Sequence, residues 1–350
     1  MTKTDFSADV VVYVGRFQPF HLGHLALLKH ALSVAPRVVL VIGSAHQARS
    51  PKNPFTWRER AEMVRLALDE ADRARIDFLP MRDHYDQARW VAAVQAGVKA
   101  LAGPSASVAL VGHFKDATSD YLKAFAGWSV VPMARFTDAD GTALRDALFG
   151  AAPRSIEATL AALIEHAPVS TLDFLRAWVA LPHFAELAEE WRVMQLYKEA
   201  WACAPYPPVF VTVDAVVRCR GRVLLVRRAH APGKGLWAVP GGFVDPRETV
   251  YQSAVRELKE ETGLDLLEST MRHALTAVAV FDHPDRSQRG RTITHAHCFD
   301  LGDRDLPEVT GADDALSAEW MPISQLVALE ARFHDDHFHM LDHFFGITAR

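Results

Sequence analysis

The sequence lacks the features that would mark a secreted, membrane-bound or nucleic-acid-coating protein. Cysteine is scarce: Cys203, Cys219 and Cys298 are widely spaced and form no CxxC pair. That argues against a disulfide framework and a thiolate zinc site, and reads as reduced core thiols in a cytoplasmic protein. Apolar runs are short, Val10 to Val14 and Val38 to Ile42 being typical, whereas a bilayer span needs roughly 20 residues. Asp5 and Asp9 precede a run too brief for a signal peptide, so neither membrane insertion nor secretion is expected. Positive charge is not in excess either. Lys plus Arg number 38 against 43 Asp plus Glu, a net charge of −5, which leaves no global field for a nucleic-acid backbone. Any phosphate must therefore be bound locally.

What is present is a folding composition, with 49% hydrophobic and 23% charged residues. At roughly 150 residues per domain, 350 residues make about two domains. From Asp9 to about Ala134, apolar strands (Val10 to Val14, Val38 to Gly43, Val108 to Gly112, Ser129 to Pro132) alternate with helical periodicity, the pattern of a parallel sheet with crossover helices. No glycine occurs between Ala151 and Arg220, and apolar residues at helical spacing (Leu172, Leu175, Trp178, Val179) predict helices there. Three prolines within Cys203 to Pro208 stop a helix. A mixed sheet with packed helices follows: strands over Val209 to Cys219, Arg222 to Arg227, Ala277 to Phe281 and Thr292 to Leu301, and a helix from Glu248 to Thr262. The expected organisation is a first domain over 1–165, a helical extension and linker over 166–204, and a second domain over 205–350. The segment from Phe333 to His343, rich in histidine, reads as a solvated or packed helix.

Two constellations carry chemistry. The first, Gly15-Arg16-Phe17-Gln18-Pro19-Phe20-His21-Leu22-Gly23-His24, follows the first strand and opens a helix, a turn that aims backbone amides and the positive helix end at a phosphate. His21 and His24, three apart, can face one pocket. The second runs Gly242, Glu248, Arg256-Glu257-Leu258-Lys259-Glu260-Glu261 and Gly263-Leu264. Glu257, Glu260 and Glu261 share one helical face and repel unless a divalent ion neutralises them, and hard oxygen ligands select magnesium, with manganese as the alternative. Arg256 can tether one of them.

The first segment resembles the signature of the nucleotidyltransferase superfamily and is most similar to archaeal-type nicotinamide mononucleotide adenylyltransferases. Further blocks resemble that family in order: Ile42-Gly43-Ser44-Ala45 with Arg49, Asn53-Pro54-Phe55-Thr56 with Glu59-Arg60, Gly112-His113-Phe114-Lys115-Asp116, and Phe125 to Trp128. A late motif, Gly141-Thr142-Ala143-Leu144-Arg145, lacks the family's leading Ile-Ser pair. The resemblance implies a Rossmann-like domain that joins ATP to nicotinamide mononucleotide, giving NAD and pyrophosphate. Arg16, His21, His24 and Arg145 would be catalytic as a positive cradle. Gly15, Phe17, Arg49, Asp83, Trp90, Gly112, Lys115, Asp116 and Thr142 would bind nucleotide, Trp90 stacking on the nicotinamide ring.

The second constellation resembles the Nudix box at every defined position, and Leu236 to Gly242 ahead of it is typical of that family. A chance match in this length is roughly one in a hundred million, which decides against a merely solvated acidic face. The resemblance implies an α/β/α sandwich that cleaves a nucleoside diphosphate linked to a group X, with Glu257, Glu260 and Glu261 as metal ligands. Glu257 is one candidate base; in ADP-ribose-cleaving relatives the base comes from a later loop, where Glu308 and Glu319 stand. Together the domains resemble bacterial bifunctional proteins acting on nicotinamide mononucleotide and ADP-ribose. Two rival readings are other substrates on the same folds, against which Asp83 and Trp90 argue, and an NAD-metabolite sensor, against which the intact box argues. A homo-oligomer is compatible with the sequence.

Overall fold

The computed structural model describes residues 8–112, 123–132 and 140–349. The chain divides into two compact units, one up to Ala188 and one from Glu189 onward. The division falls inside a helix, upstream of the proline-rich run Cys203 to Pro208. No helix is long and apolar enough to cross a membrane among the described residues.

The first unit runs β1 (Val10–Gly15), α1 (Leu22–Val34), β2 (Arg37–Ile42), α2 (Trp57–Leu66), α3 (Glu70–Arg73), β3 (Ile76–Pro80), α4 (Gln87–Ala102), β4 (Val108–Gly112), β5 (Ser129–Pro132), α5 (Gly141–Gly150), α6 (Ile156–Ala162), α7 (Val169–Trp178) and α8 (Pro182–Ala200), the last crossing into the second unit. Its five strands are parallel, in the order β3-β2-β1-β4-β5. β1 is central and covered on both sides, which is why Val10 to Tyr13 reads as an unbroken apolar run. Strand order reverses around β1, so a crevice opens at the carboxyl ends of β1 and β4, where a ligand of such a sheet sits. On one face Val91, Val94 and Val98 of α4 pack against Val10, Val12, Val39 and Val41. β3 is the strand the hydrophobic pattern misses: Ile76–Pro80 forms the sheet edge, is only half-buried throughout, and carries Asp77 and Pro80.

The second unit contains β6 (Val209–Cys219), β7 (Arg222–Arg228), β8 (Trp237–Ala238), β9 (Gly241–Phe243), α9 (Val250–Thr262), α10 (Glu268–Ala274), β10 (Leu275–Phe281), β11 (Arg291–Asp300), β12 (Ala315–Pro322), a 3-10 segment (Ile323–Arg332) and α11 (His337–Phe345). The sheet is mixed, in the order β10-β11-β6-β7-β12, with β6 and β11 parallel and the other neighbours on that path antiparallel. Alternate residues of β6 and β7 feed two cores. Ala215, Val217, Cys219 and Leu224 meet Leu258 of α9 and Met271 of α10. Val216, Val223 and Leu225 meet Leu326, Phe338 and Leu341 on the other side. The result is the expected α/β/α sandwich. Of the three cysteines, Cys219 and Cys298 are buried and Cys203 is exposed, so the expectation of core thiols holds for two.

Candidate active sites

In the first unit the turn after β1 is built by close packing. Phe17 adopts φ +52 and folds its ring beneath Gly15, where an added Cβ would lie 2.6 Å from Phe17 Cζ. Its ring is buried against Tyr13 and His24, so Phe17 shapes the turn and does not present a side chain to a ligand. A second non-glycine residue with left-handed backbone, Ser44 (φ +50), follows β2. Each such residue costs on the order of 1–2 kcal/mol.

His21 caps α1 through its imidazole. Its Nδ1 accepts the His24 amide at 3.4 Å, and His24 Nδ1 accepts the His21 amide at 3.3 Å, with the rings stacked 3.5 Å apart. Both Nδ1 atoms are thereby acceptors, which leaves each neutral ring with its proton on Nε2. Burial pushes His21 down to about 4, against the pull of Asp140. At neutral pH His21 is therefore an uncharged donor and not the cation expected of a positive cradle. The first turn of α1 carries no acidic residue, so the positive helix end is uncompensated by its own side chains.

The positive charge comes from arginines. Arg145, on α5 whose first turn is capped by Asp140, donates to the Gln18 carbonyl at 2.5 Å and to Thr142 Oγ1 at 3.1 Å. Burial and the nearby Arg16 hold its guanidinium down to about 10. Arg16 itself is exposed. Arg49 is engaged internally: it pairs bidentately with Glu59 (2.7 and 3.0 Å) and donates to the Pro54 carbonyl at 2.6 Å, while Trp178 Nε1 donates to the same Glu59 at 3.2 Å. Asp83 accepts the Ser44 amide at 3.1 Å and Gln47 Nε2 at 2.8 Å. Trp90 meets Phe125 edge-on at 5.7 Å, and Phe125 stacks on Trp128. Gly112 ends β4; Lys115 and Asp116 lie outside the described residues.

Two residues that lie within the quoted motifs but were given no role there connect these parts. Gln18 is buried and exchanges a reciprocal pair of hydrogen bonds with the Phe55 backbone while its own carbonyl takes Arg145. Arg60, 1% exposed, donates to the carbonyls of Arg16, Gly43 and Ser44. A clue was available: position 60 falls on the α2 face shared with Ala61 and Val64, where an arginine is out of place.

In the second unit α9 is delimited by Thr249, which forms a capping box with Gln252, and by Gly263 at φ +65. Glu261 is buried and accepts the Gly241 amide at 3.0 Å. Glu257 lies under Gly242, where an added Cβ would come within 2.6 Å of its carboxylate, so only glycine permits the approach. Arg256 ties the box together, donating to Glu248 (2.9 Å), Glu257 (2.9 Å), Glu260 (2.8 Å) and the Phe243 carbonyl (3.2 Å). That guanidinium bonds three of the four acids, and Arg228 acts on the fourth, Glu261, only through space. Burial, with Glu257 adding repulsion, pushes Glu261 up to about 8, and burial raises Glu257 too, with Glu260 and Asp313 adding to it. Among the described residues no three metal-ligating side chains already form a cage; Glu257 and Glu260 are turned onto Arg256. The donor set fits a hard divalent ion: oxygen-only ligands on one helix face, with negative charge in excess.

Beside the box lies a cleft lined by Asp214, Arg228, Gly242, Phe243, Arg289 and His334 among others. Its far wall is the histidine-rich segment that sequence reasoning took for a plain helix. α11 is indeed packed, but His337 Nδ1 accepts the Val239 amide at 3.1 Å, the His334 amide bonds the Trp237 carbonyl at 2.9 Å, and Asp336 forms a buried bidentate pair with Arg286 at 2.8 Å. The cluster of His334, Asp335, Asp336 and His337 was the available signal. Glu308 and Glu319 do not line this cleft. The later acid whose charge acts on Glu257 is Asp313.

Residues 208–344 match the NUDIX domain family and residues 12–133 the cytidylyltransferase-like family. The chain is 33% identical to a nicotinamide/nicotinic acid mononucleotide adenylyltransferase of Acinetobacter baylyi over 53% of its length and 95% of the relative. It is 36% identical to an ADP-ribose pyrophosphatase of Methanocaldococcus jannaschii over 34% of its length and 65% of the relative. The fold is similar to crystal structures of a bifunctional NMN adenylyltransferase/ADP ribose pyrophosphatase from Francisella tularensis, one complexed with AMP and Mn ion, at 32% identity, TM-score 0.89, and 97% and 99% coverage of the two chains. With both sites built on the matching segments and the likeness running through both units, the chain belongs to the family of bifunctional NMN adenylyltransferase/ADP-ribose pyrophosphatases.

Proposed function

We propose that the first unit transfers AMP from ATP to nicotinamide mononucleotide, forming NAD and pyrophosphate, and that the second hydrolyses ADP-ribose to AMP and ribose 5-phosphate, both with magnesium and with manganese as a substitute. The observation that supports this most is that the neutral-histidine turn with its converging arginines and the acidic box beside a cleft occur in one chain alike over nearly its whole length to a relative named for both activities.

In adenylyl transfer the mononucleotide phosphate attacks the α-phosphorus of ATP and pyrophosphate leaves, so no covalent enzyme intermediate is required. His21 and His24 offer Nε2–H donors to phosphate oxygens, and Arg16 and Arg145 supply charge that stabilises the crowded transition state. Arg49 would exchange Glu59 for a phosphate oxygen. Asp83, Trp90, Gly112, Lys115, Asp116 and Thr142 are the proposed nucleotide contacts. In hydrolysis Glu257, Glu260 and Glu261 would hold the divalent ion, which when bound supplies charge neutralisation for the diphosphate and lowers the pKa of water. Arg289 and Arg228, in the cleft, are placed to meet an anionic substrate. The test is to incubate purified protein and magnesium with ATP plus a panel of mononucleotides, then with a panel of dinucleotides, and to identify products by mass. NAD from one reaction and AMP from ADP-ribose in the other are expected; products from other partners alone would overturn the assignment.

A further inference from the structure

We infer that Arg60 is a positioning residue of the adenylyl-transfer site, a buried guanidinium that holds both nucleotide-facing turns in their left-handed conformations without touching substrate. The inference rests on the adenylyltransferase reading of the first unit.

Helix α2 starts at the Thr56 cap and turns Arg60, Ala61, Met63 and Val64 inward. A cation on that face is costly unless its protons are matched. Its hydrogen bonds go to carbonyls and not to a carboxylate: Nη1 reaches the Arg16 oxygen at 2.7 Å and the Gly43 oxygen at 2.7 Å, and Nη2 the Ser44 oxygen at 3.1 Å, while buried Nε has no partner. Asp83 and Glu59 act on it only through space, and burial together with nearby Arg16 leaves its pKa down to about 10. A residue serving the core alone has no reason to be a buried cation with three backbone carbonyls as its hydrogen-bond partners.

The three carbonyls share one property. They flank Phe17 (φ +52) and Ser44 (φ +50), the two non-glycine residues with positive φ among the described residues of this unit. Phe17 follows the Arg16 carbonyl, and Ser44 follows the Gly43 carbonyl and carries the third. In a trans peptide the amide points opposite to the carbonyl. Drawing these oxygens inward therefore turns the amides of Phe17, Ser44 and Ala45 away from Arg60, and those of Ser44 and Ala45 are fixed by Asp83 Oδ1 (3.1 Å) and the Met81 carbonyl (3.0 Å). One side chain thus sets the turn after β1 and the turn after β2 together. It also places a positive charge beneath the cradle to which Arg16 and Arg145 belong.

The test begins with the wild type, which must form NAD from ATP and nicotinamide mononucleotide; failure there removes the adenylyltransferase reading and leaves Arg60 out of the question. Arg60→Lys keeps the charge but cannot span three carbonyls, and is expected to lose about tenfold in kcat/KM or more. Ser44→Gly is then added, because glycine takes φ +50 without help. The double variant should recover at least half of the loss on a logarithmic scale, while Ser44→Gly alone stays within about twofold of wild type. Melting temperatures are recorded for all four proteins. An Arg60→Lys protein within twofold of wild type overturns the inference. So does a loss that Ser44→Gly does not recover, whether the protein melts normally or fails to fold, since Arg60 would then be a brace for the core.

Discussion

The two units store charge of opposite sign. In the first, Arg60 and Arg145 bond carbonyl oxygens, and burial together with Arg16 holds both guanidinium groups down to about 10. In the second, Glu257 shares the Arg256 guanidinium with Glu248 and Glu260, Glu261 is bonded only by the Gly241 amide, and burial holds both Glu257 and Glu261 upward, Glu261 to about 8. The first arrangement suits the proposed polyphosphate ligand, the second the proposed divalent ion. A buried group of uncompensated charge destabilises the free protein and is relieved by a ligand of opposite charge.

The comparison breaks most visibly at Glu261. Replacing it with glutamine should lower ADP-ribose hydrolysis by about a thousandfold, since a neutral amide oxygen is a poor ligand for a hard ion. The folded carboxyl holds its proton to about 8 whereas the unfolded one releases it near 4.5. Stability of the metal-free wild type is therefore full below 4.5 and is lost as pH rises through 8. The variant lacks that loss, and without metal at pH 8.5 it should be more stable by up to about 5 kcal/mol. Melting in chelator at pH 5 and 8.5, beside an ADP-ribose assay, checks both parts; an earlier-melting variant would make Glu261 a structural residue.

The next largest effect belongs to His24. His24→Ala removes both an Nε2–H donor and half of the reciprocal cap, and adenylyl transfer should fall by about a hundredfold while hydrolysis continues. Loss of both activities in a folded variant would contradict separate sites. Trp90→Ala sharpens the picture at the substrate end. If the ring stacks on nicotinamide, KM for the mononucleotide should rise about five- to tenfold, an aromatic contact of about 1 kcal/mol, with KM for ATP unchanged. An equal rise for both would leave Trp90 as the partner of Phe125 in the core.

The smallest effect tests the neutral His21. Its folded pKa of about 4 lies below the ordinary 6.5, so the unfolded chain binds more protons in that window and the first unit loses stability as pH falls through it. Between pH 7.5 and 5.5 the loss should be about 1 kcal/mol, and His21→Gln should remove it. Melting of both proteins across that range measures it, and parallel curves would mean that folding does not depress the His21 pKa.

What the sequence disclosed depends on how far apart the partners lie. The three box glutamates were legible because Glu257, Glu260 and Glu261 sit on one helix within two turns, and the β1 turn because its histidines cap the helix they start. Strands β1 and β2 were legible as buried apolar runs. β3 and β12 were not, because Asp77 and Pro80 in the one and Ser317 and Glu319 in the other interrupt their apolar residues. The roles of Arg60 and Gln18 escaped because their partners are backbone atoms 16 to 44 residues away, which leave no trace in side-chain spacing. The same holds for His337, whose partner is the amide of Val239.

That last contact bears on how the protein matures during synthesis. The described residues of the adenylyl-transfer site, from Gly15 to Arg145 with Trp178 behind Glu59, belong to the earlier part of the chain and can assemble as it emerges. The hydrolase cleft draws one wall from Thr212 to Asp214 and another from His334 to His337, so a nascent chain that already carries the finished box still lacks the segment that seats Val239 and holds Arg286. Transfer activity should accordingly precede hydrolysis in a synchronised translation reaction, the delay being set by the ribosome's transit over the residues between Trp178 and His337.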